Sequence, residues 1–414
     1  MTEATIELAA APVQPWQGYR AATPAYRRML IGLGAAGVAT FAQLYAPQGL
    51  LPSLAADLDI DASQAALSLS VATWGVALAV LPWSWLADRV GRLRAMKIAI
   101  STAAVAGLLV ALSPGLESLL VVRFVEGVAL GGLPALAMTY LHDEVHPRST
   151  AAAAAAYISG TTIGGASGRL MAGPLTELVG WRLALAAVAL VCLGAALIFL
   201  RLMPPARSFT PNRRTSWAGL GRNIRQCLSD RTLLALYAQP LLIMGGLVAI
   251  YNYLGFRLEG PAFGLPVVAA SLIFAAYGAG TVSSRLVGRW VPRFGRRLVL
   301  IAGTLAMIAG TVLTLGDRLT LVIIGLLILT AGAFVVHAVA SAWVGHHVFV
   351  GRAQATALYN VSLYTGSAVI GWVAGFGWVT FGWPATVVVV TVLAAIALMI
   401  AARIDPDVAT SSTR

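Results

Sequence analysis

The feature that most constrains this chain is the recurrence of charge-free apolar windows about 20 residues long, the length that a membrane-spanning helix needs. A helix is required because the interior of a bilayer offers no hydrogen-bond partners to peptide groups. Residues 119–141 form a further window, interrupted only by Arg123 and Glu126, and residues 353–402 hold no charge over fifty residues and must contain two helices. The chain is therefore expected to have twelve spans. The other predicted windows are 29–56, 62–87, 98–116, 149–168, 183–200, 232–256, 260–284, 298–316 and 319–351.

The composition agrees with a bilayer as the solvent. Charged residues make up 11% of the chain and hydrophobic residues 59%, whereas ordinary soluble domains carry roughly 25% charge. So few charges cannot cover the surface of a soluble body of this size. A water-soluble globule, a disordered chain and a coiled coil are therefore excluded.

Lysine and arginine residues fall mostly on one side of the predicted spans. Both chain ends lie on the same side, because the number of spans is even. Loops rich in Lys and Arg stay in the cytoplasm, so the sequence predicts cytoplasmic termini, and topology rather than nucleic-acid binding explains the net charge of +12. Of the 28 Lys and Arg residues, 22 fall on the side of the termini, three on the other side (Arg182, Arg257 and Arg318) and three within spans (Arg123, Arg169 and Arg285).

The spans divide into two groups of six that repeat. A shift of 204 residues places Arg89 on Arg293 and Gly91 on Gly295, and a shift of 202 places Gly180 on Gly382. Two parallel repeats around one central site are an arrangement found in transporters. The predicted organisation is a cytoplasmic tail (1–26), a first six-helix bundle (27–202), a cytoplasmic linker loop (203–231), a second six-helix bundle (232–402) and a cytoplasmic tail (403–414).

Three motifs give the chain a family resemblance. Residues 84–94, between spans 2 and 3, read S-W-L-A-D-R-V-G-R-L-R, which resembles the major facilitator superfamily signature G-x-L-A-D-R-x-G-R-R-R. Residues 123–127, R-F-V-E-G, and the glycine-rich stretch 160–174 are similar to motifs of that superfamily's drug/proton antiporters, bacterial inner-membrane carriers of the arabinose-efflux-like group. The sequence departs from these patterns at Ser84, Leu93, Glu126 and Ala166.

The first motif predicts a conformational latch. Gly91 permits a tight turn into span 3, and a carboxylate at Asp88 can face the positive N-terminal end of another helix. The resemblance implies that this helix is span 11, which starts near residue 353. Arg92 can pair with Asp143 or Glu144. The alternative is a solvated basic loop. The predicted latch residues are Asp88, Arg89, Gly91 and Arg92.

Glycines in span 5 form a stripe of small residues that lets helix backbones touch. The resemblance implies that the stripe faces the other bundle, and packing within its own bundle is the alternative. The residues of this predicted helix interface are Gly160, Gly164, Gly168 and Gly173.

Charges inside a membrane are costly and indicate function. Glu126, Arg123 and Arg169 fall at about one depth, so the sequence predicts a single polar cluster in the first bundle. The three residues are proton-coupling candidates, and Glu126 either carries a proton or belongs to a structural Glu–Arg network. The second arginine leaves open that a spare guanidinium binds an anionic substrate group. His337, in the middle of span 10, is a further proton-coupling candidate or a simple interhelical donor.

Polar and aromatic residues of the spans that line the cavity in the superfamily are candidates for substrate contact, with lipid-interface anchoring as the alternative. These candidates are Gln43, Tyr45, Trp74, Tyr237, Gln239, Tyr277, Tyr359, Asn360 and Tyr364.

The sequence therefore predicts an all-α membrane protein with twelve transmembrane helices in two pseudo-symmetric six-helix bundles, the major facilitator fold. The expected function is secondary active transport by alternating access, with proton-coupled efflux (antiport) of a small molecule or drug. The alternatives are a proton-coupled importer and a passive facilitator of a small organic solute. The expected partners are the substrate, protons and the lipid bilayer, and the expected state is a monomer in the bacterial inner membrane.

No enzymatic activity, cofactor or metal is expected. His142 and His146 stand four residues apart, but Asp143 occupies the place where zinc proteases carry Glu.

Overall fold

The structure, a computed structural model, describes residues 16–21, 23–208, 217–348 and 351–405. Among these residues, ten helices are long and apolar enough to cross a membrane. One of the ten is broken at Gly180 and forms two spans, and a further helix of 30 residues, richer in small and polar residues, forms span 11. The prediction of twelve spans is confirmed. In order, the spans are Pro24–Gly49, Ala62–Val90, Arg92–Val110, Leu116–Glu144, 147–179, 181–202, Arg231–Glu259, Val267–Phe294, Arg296–Leu313, Leu319–His347, Arg352–Phe381 and Trp383–Ala402.

Span 1 ends earlier than the apolar window predicted. Its α-helix stops at Tyr45, a 3-10 turn follows over Ala46–Gly49, and a separate short helix covers Leu51–Leu58. Pro47 is the reason, because proline has no N–H to donate to the carbonyl of Gln43 four residues earlier. The Gln43 carbonyl is thereby left for another donor.

Glycines with positive φ mark equivalent turns in the two halves. Gly91 (φ +96°) and Gly295 (φ +81°) separate spans 2 and 3 and spans 8 and 9, while Gly180 (φ +78°) and Gly382 (φ +68°) separate spans 5 and 6 and spans 11 and 12. These are the pairs that the shifts of 204 and 202 residues superimpose. The internal repeat is therefore confirmed in the backbone.

The packing of the helices follows the same repeat. Span 1 packs along span 5 and span 2 along span 4, just as span 7 packs along span 11 and span 8 along span 10. The halves meet where span 2 contacts span 11 and span 5 contacts span 8. We call the face that holds the start of span 1 and the end of span 12 the basic face, and the other the opposite face.

Part of the predicted linker loop is helical. Residues Trp217–Ser229 form a helix that contacts spans 7 and 11. Cys227 on this helix is buried, whereas Leu228 is exposed. The rest of the linker and the two tails lie partly outside the described residues. Among the residues outside are the predicted cytoplasmic arginines Arg213, Arg214 and Arg414.

The turn between spans 5 and 6 can be tested with Gly180→Ala. No atom lies within 4 Å of the position that a Cβ would take at Gly180, so only the backbone conformation opposes the change. We expect the free energy of unfolding to fall by about 1–3 kcal/mol, measured by thermal unfolding of the purified protein in detergent. Gly194→Ala, equally uncrowded within span 6, is the matched control and should leave stability unchanged or raise it. Equal effects of the two substitutions would contradict the assignment.

Candidate functional site

A buried ion pair lies inside the first bundle. Nη1 of Arg123 is 2.5 Å from Oε2 of Glu126, one helical turn further along span 4. Both side chains are 1% exposed. Burial of two charges carries a desolvation penalty that the pair alone does not offset unless further hydrogen bonds hold it.

Backbone carbonyls of two other spans supply these hydrogen bonds. Arg123 donates from Nε to the carbonyl of Ser68 (3.0 Å), and from Nη1 and Nη2 to the carbonyls of Gln43 (3.2 Å) and Leu44 (2.7 Å). The Gln43 carbonyl is available because Pro47 cannot donate to it. The break in span 1 therefore leaves a carbonyl that needs a donor, and the buried Arg123 of span 4 supplies this donor.

A glycine in span 3 completes this cluster. Nε2 of Gln43 donates to the carbonyl of Ala103 (2.8 Å), and a Cβ on Gly107 would lie 1.6 Å from that nitrogen and 3.1 Å from Oε1 of Glu126. Gly107 thus gives the Gln43 amide room to lie beside Glu126. The sequence alone did not identify this glycine.

One carboxylate oxygen of Glu126 has an unused acceptor site. Oε1 is buried and forms no hydrogen bond among the described residues. The space beside it, lined by Gln43, Arg123 and Glu126 among others, measures about 10 Å³, which is room for about one water molecule. In this conformation the cluster has room for a proton at Glu126 but not for an organic substrate.

Arg169 does not join this cluster, and the prediction of a single group of three charges is wrong. Its guanidinium carbon lies 4.2 Å from the ring centroid of Tyr45 and 4.3 Å from that of Tyr277. Nε donates to Oε1 of Gln48 (2.6 Å) and Nη1 to the carbonyl of Gly165 (2.6 Å). Arg169 reaches the other half through Tyr277, whereas Glu126 lies with Arg123 inside the first bundle.

Three hydrogen bonds join the two halves near the opposite face. Nε2 of Gln48 donates to Oδ1 of Asn252 (2.6 Å), Nη2 of Arg169 to the hydroxyl of Tyr277 (3.3 Å), and the amide of Val268 to the carboxylate of Glu177 (3.1 Å). Asn252 also donates to the carbonyl of Gly371 (3.2 Å). We call Gln48, Arg169, Asn252 and Tyr277 the interdomain lock, because together they join the two halves near the opposite face.

The glycine stripe of span 5 faces mainly its own bundle. A Cβ on Gly160, Gly164 or Gly168 would lie 2.2–2.6 Å from carbonyl oxygens of span 1. Gly173 alone of the four faces the other half, against Ser271 of span 8. The implied interdomain role is therefore wrong for the first three glycines, whose close contacts bring the backbone of span 1 against span 5.

The motif at the basic face forms a charged network. Arg92 makes the expected ion pair with Asp143, and its Nη2 is 4.0 Å from Asp88. Arg89 stacks on the ring of Trp85, 3.5 Å from its centroid. The backbone amides of Arg207 and Ser208 donate to the buried Glu144, so this network also holds the start of the linker. Contact of Asp88 with span 11 stays a prediction.

His337 pairs with a tyrosine of the next span. The hydroxyl of Tyr359 lies 2.9 Å from Nδ1 of His337 and 3.0 Å from its carbonyl oxygen. The arrangement is that of an interhelical hydrogen bond, and the coupling role of His337 stays a prediction.

The remaining cavity candidates fall into three groups. Gln43, as described, lies in the Arg123–Glu126 cluster, and Gln239 is fully buried with its Nε2 on the carbonyl of Ala397 in span 12; for these two, the predicted cavity position is wrong. Tyr237 is buried beside the linker helix near Cys227. The other six candidates lie on the four spans where the halves meet or beside them. Tyr45 and Tyr277 belong to the surroundings of the interdomain lock, and Tyr359 and Tyr364 are buried. Asn360 is half-buried and Trp74 is 39% exposed.

The sequence did contain a signal for the lock. Gln48 and Asn252 are 204 residues apart, so the shift that superimposes Gly91 on Gly295 also superimposes these two amides. Equivalent residues of two halves related by a pseudo-twofold axis meet where the axis passes between them. An amide repeated at that spacing would have predicted the contact.

Comparisons with known proteins agree with this architecture. The chain matches the family model of the Major Facilitator Superfamily over residues 29–290 and 260–414. It is 37% identical over 379 residues to the MFS-type transporter YybF of Bacillus subtilis, covering 92% of this chain and 94% of that protein. It is 36% identical over 391 residues to the inner membrane transport protein YnfM of Escherichia coli, covering 94% of each.

A solved structure shares the fold. The crystal structure of a bacterial homologue of the human lysosomal transporter Spinster, in an inward-facing and occupied conformation, matches with a TM-score of 0.74. The match covers 93% of this chain and 98% of that one at 15% sequence identity.

The fit of Gln43 against Gly107 can be tested with a double-mutant cycle. Gly107→Ala should push the Gln43 amide from its hydrogen bond and lower the free energy of unfolding by about 1–3 kcal/mol, the usual cost of overpacking. In a Gln43→Ala background the obstruction is gone, and the same glycine substitution should cost much less. Thermal unfolding of the four proteins measures the coupling. Additive effects would show that Gly107 has another role.

Proposed function

The chain belongs to the major facilitator superfamily and is a membrane transporter, not an enzyme, and from this membership we propose that it exports a small molecule in exchange for protons by alternating access. The observation that carries the proposal is the buried Arg123–Glu126 pair, which meets span 1 next to the interdomain lock. A proton site and a movable contact between the halves are the two parts that an antiporter needs.

The contacts between the halves support a rocking motion. Gln48, Asn252, Arg169 and Tyr277 hold one another across the halves, and a carrier open toward the opposite face must break these bonds. Ser63 and Ser70, buried where spans 2 and 11 meet, have hydroxyl oxygens without a hydrogen-bond partner among the described residues. Unsatisfied buried hydroxyls are costly, so separation and hydration of this contact offset part of the cost of opening.

The surroundings of Glu126 support a proton site. Protonation removes the charge that Arg123 pairs with, yet the carbonyls of Ser68, Gln43 and Leu44 still accept its hydrogen bonds. Oε1 of Glu126 is free to take the proton. Both charge states of Glu126 therefore leave the arginine with hydrogen-bond partners, and only the carboxylate also supplies a counter-charge.

Direction and location complete the proposal. Similarity of residues 123–127 and 160–174 to the drug/proton antiporters favours efflux. The excess of Lys and Arg supports a cytoplasmic location for the basic face and for both termini, in a bacterial inner membrane like that of the relative YnfM. The carrier works as a monomer, because both halves of the repeat are in one chain. With this orientation the opposite face is the periplasmic one, and the interdomain lock joins the halves there.

Asp88 is the proposed latch for the reverse motion. It lies in the last turn of span 2, beside Arg92. When the basic face closes, its carboxylate reaches the N-terminal end of span 11, where the helix dipole stabilises a negative charge.

Proton coupling is tested with Glu126→Gln in proteoliposomes. The substitution keeps the shape of the side chain but removes its titration, so we expect loss of transport driven by a proton gradient while substrate counterflow is retained. Glu117→Gln, at the exposed start of the same span, is the matched control and should transport like the unmodified protein. Gradient-driven transport that survives Glu126→Gln would make the pair structural. Absence of counterflow in the unmodified protein would indicate a channel.

The latch is tested with Asp88→Asn and a cysteine reporter. Cys192 and Cys227 are first replaced by Ser, and Asn360→Cys supplies one half-buried thiol on span 11. A lost charge–dipole contact of about 0.3–1 kcal/mol should raise the labelling rate of the reporter from the basic face roughly two- to fivefold. Asp57→Asn, which removes a carboxylate paired with Arg182 at the opposite face, is the control. An unchanged rate in Asp88→Asn would refute the latch.

A further inference from the structure

Arg169 differs from the other buried arginines. Among the described residues, Arg123, Arg169 and Arg257 are less than 9% exposed. Arg123 has Glu126 and Arg257 has Asp317 as an ion-pair partner. No carboxylate of the described chain is within ion-pair distance of Arg169, which has only neutral partners. Burial of a guanidinium without a counter-charge is expensive, and a charge kept in a membrane at such a cost indicates a function.

The architecture itself does not need an arginine at this place. The shift of 202 residues that relates span 5 to span 11 superimposes Arg169 on Gly371. In the first half, Arg169 donates a hydrogen bond to the Gln48 amide of the interdomain lock. In the second half, the equivalent Gly371 accepts one from the Asn252 amide through its backbone carbonyl. The second half thus makes the equivalent contact with a backbone group and no charge. The hydrogen bond to the amide therefore does not by itself require a positive charge in the first half.

We propose that Arg169 binds a negatively charged group of the transported molecule, a carboxylate or a phosphate. The inference depends on the proposed transport function and names its substrate class. A guanidinium presents planar pairs of N–H donors that match these oxyanions in a bidentate way. The ring of Tyr45, from the same half, packs against the guanidinium, and the N–H donors along the guanidinium edge are the groups that a ligand can reach.

The lock explains how the anion reaches this site. Arg169 is 2% exposed here, held from its own half by Gln48 and from the other half by Tyr277. Separation of the halves at the opposite face removes Tyr277 and exposes the guanidinium. An oxyanion offers Arg169 a full negative charge and a bidentate pair of acceptors, which the neutral Gln48 amide does not, so a bound oxyanion displaces the Gln48 amide as well. The substrate therefore competes with the lock and favours the open state.

The experiment compares charged and neutral ligands of the same shape. Thermal unfolding of the purified full-length carrier is followed in detergent with benzoate against benzamide, and with phenyl phosphate against phenol. A ligand that binds the folded protein raises the unfolding temperature in a saturable way. We expect saturable stabilisation by at least one of the two anions and by neither neutral partner, and the two anions decide between a carboxylate and a phosphate.

Three variants separate anion binding from a role in closure alone. Arg169→Gln should weaken binding of the stabilising anion at least tenfold. Arg169→Lys keeps a charge but loses the planar fork, and should weaken it less. Gln48→Leu removes the competing amide and leaves the arginine, so it should bind the anion as tightly as the unmodified protein or several-fold more tightly.

The outcomes that overturn the inference are distinct. The inference is overturned if the neutral compounds stabilise the protein as much as the anions do, or if none of the four compounds stabilises it. Anion binding that survives Arg169→Gln also overturns it. Equal loss of binding in Arg169→Gln and Gln48→Leu assigns Arg169 to closure alone and also overturns it. If Arg169→Gln does not fold, Arg169→Lys and Gln48→Leu still decide the question. Proton-driven transport that depends on Glu126 would stand in every one of these cases, so failure here leaves the proposed function intact.

Discussion

The structure depends on one constraint, which is that lipid cannot form hydrogen bonds with the peptide backbone. Helices satisfy this constraint by themselves, and wherever a helix is interrupted a side chain must supply the missing partner. Pro47 interrupts span 1, and Arg123 takes the carbonyl of Gln43 that Pro47 leaves without a donor. The same arginine then needs a counter-charge in a medium that does not solvate it, and Glu126 provides it. The break at Pro47 thus supplies one of the three carbonyls that hold this buried pair in the bundle.

The fold could be predicted from the sequence almost completely, because its determinants are local or periodic. The length of each apolar window fixed the spans, and glycines at equivalent places, such as Gly91 and Gly295, marked turns whose positive φ angles other residues rarely adopt. The ends of elements were less predictable. Apolar residues continue past Tyr45, so hydropathy did not reveal the end of span 1, and the helix Trp217–Ser229 lies in a stretch whose prolines and arginines are typical of a loop.

The site could be predicted by depth but not by direction. Counting residues from a span end gives the depth of a side chain, and on this ground Arg169 belongs beside Glu126. Each residue turns the direction by about 100°, however, and the rotation of a helix about its own axis depends on what packs against it. Gly160, Gly164 and Gly168 bring span 5 against span 1 and so fix its rotation, which turns Arg169 toward the contact between the halves. Only the amides Gln48 and Asn252, matched by the repeat, carried directional information.

Both networks meet on one short segment of span 1, and this contact gives a physical route for coupling. Arg123 holds the carbonyls of Gln43 and Leu44, while Arg169 holds the ring of Tyr45 and the amide of Gln48. The segment has no continuous α-helix to stiffen it, because the turn at Ala46–Gly49 follows directly. A change in the charge of Glu126 alters the hold of Arg123 on one end of this segment, and the bond between Gln48 and Asn252 is made at the other end. Proton binding and opening of the interdomain lock therefore both act on residues 43–48. Energetic coupling between the two events can pass through this segment alone.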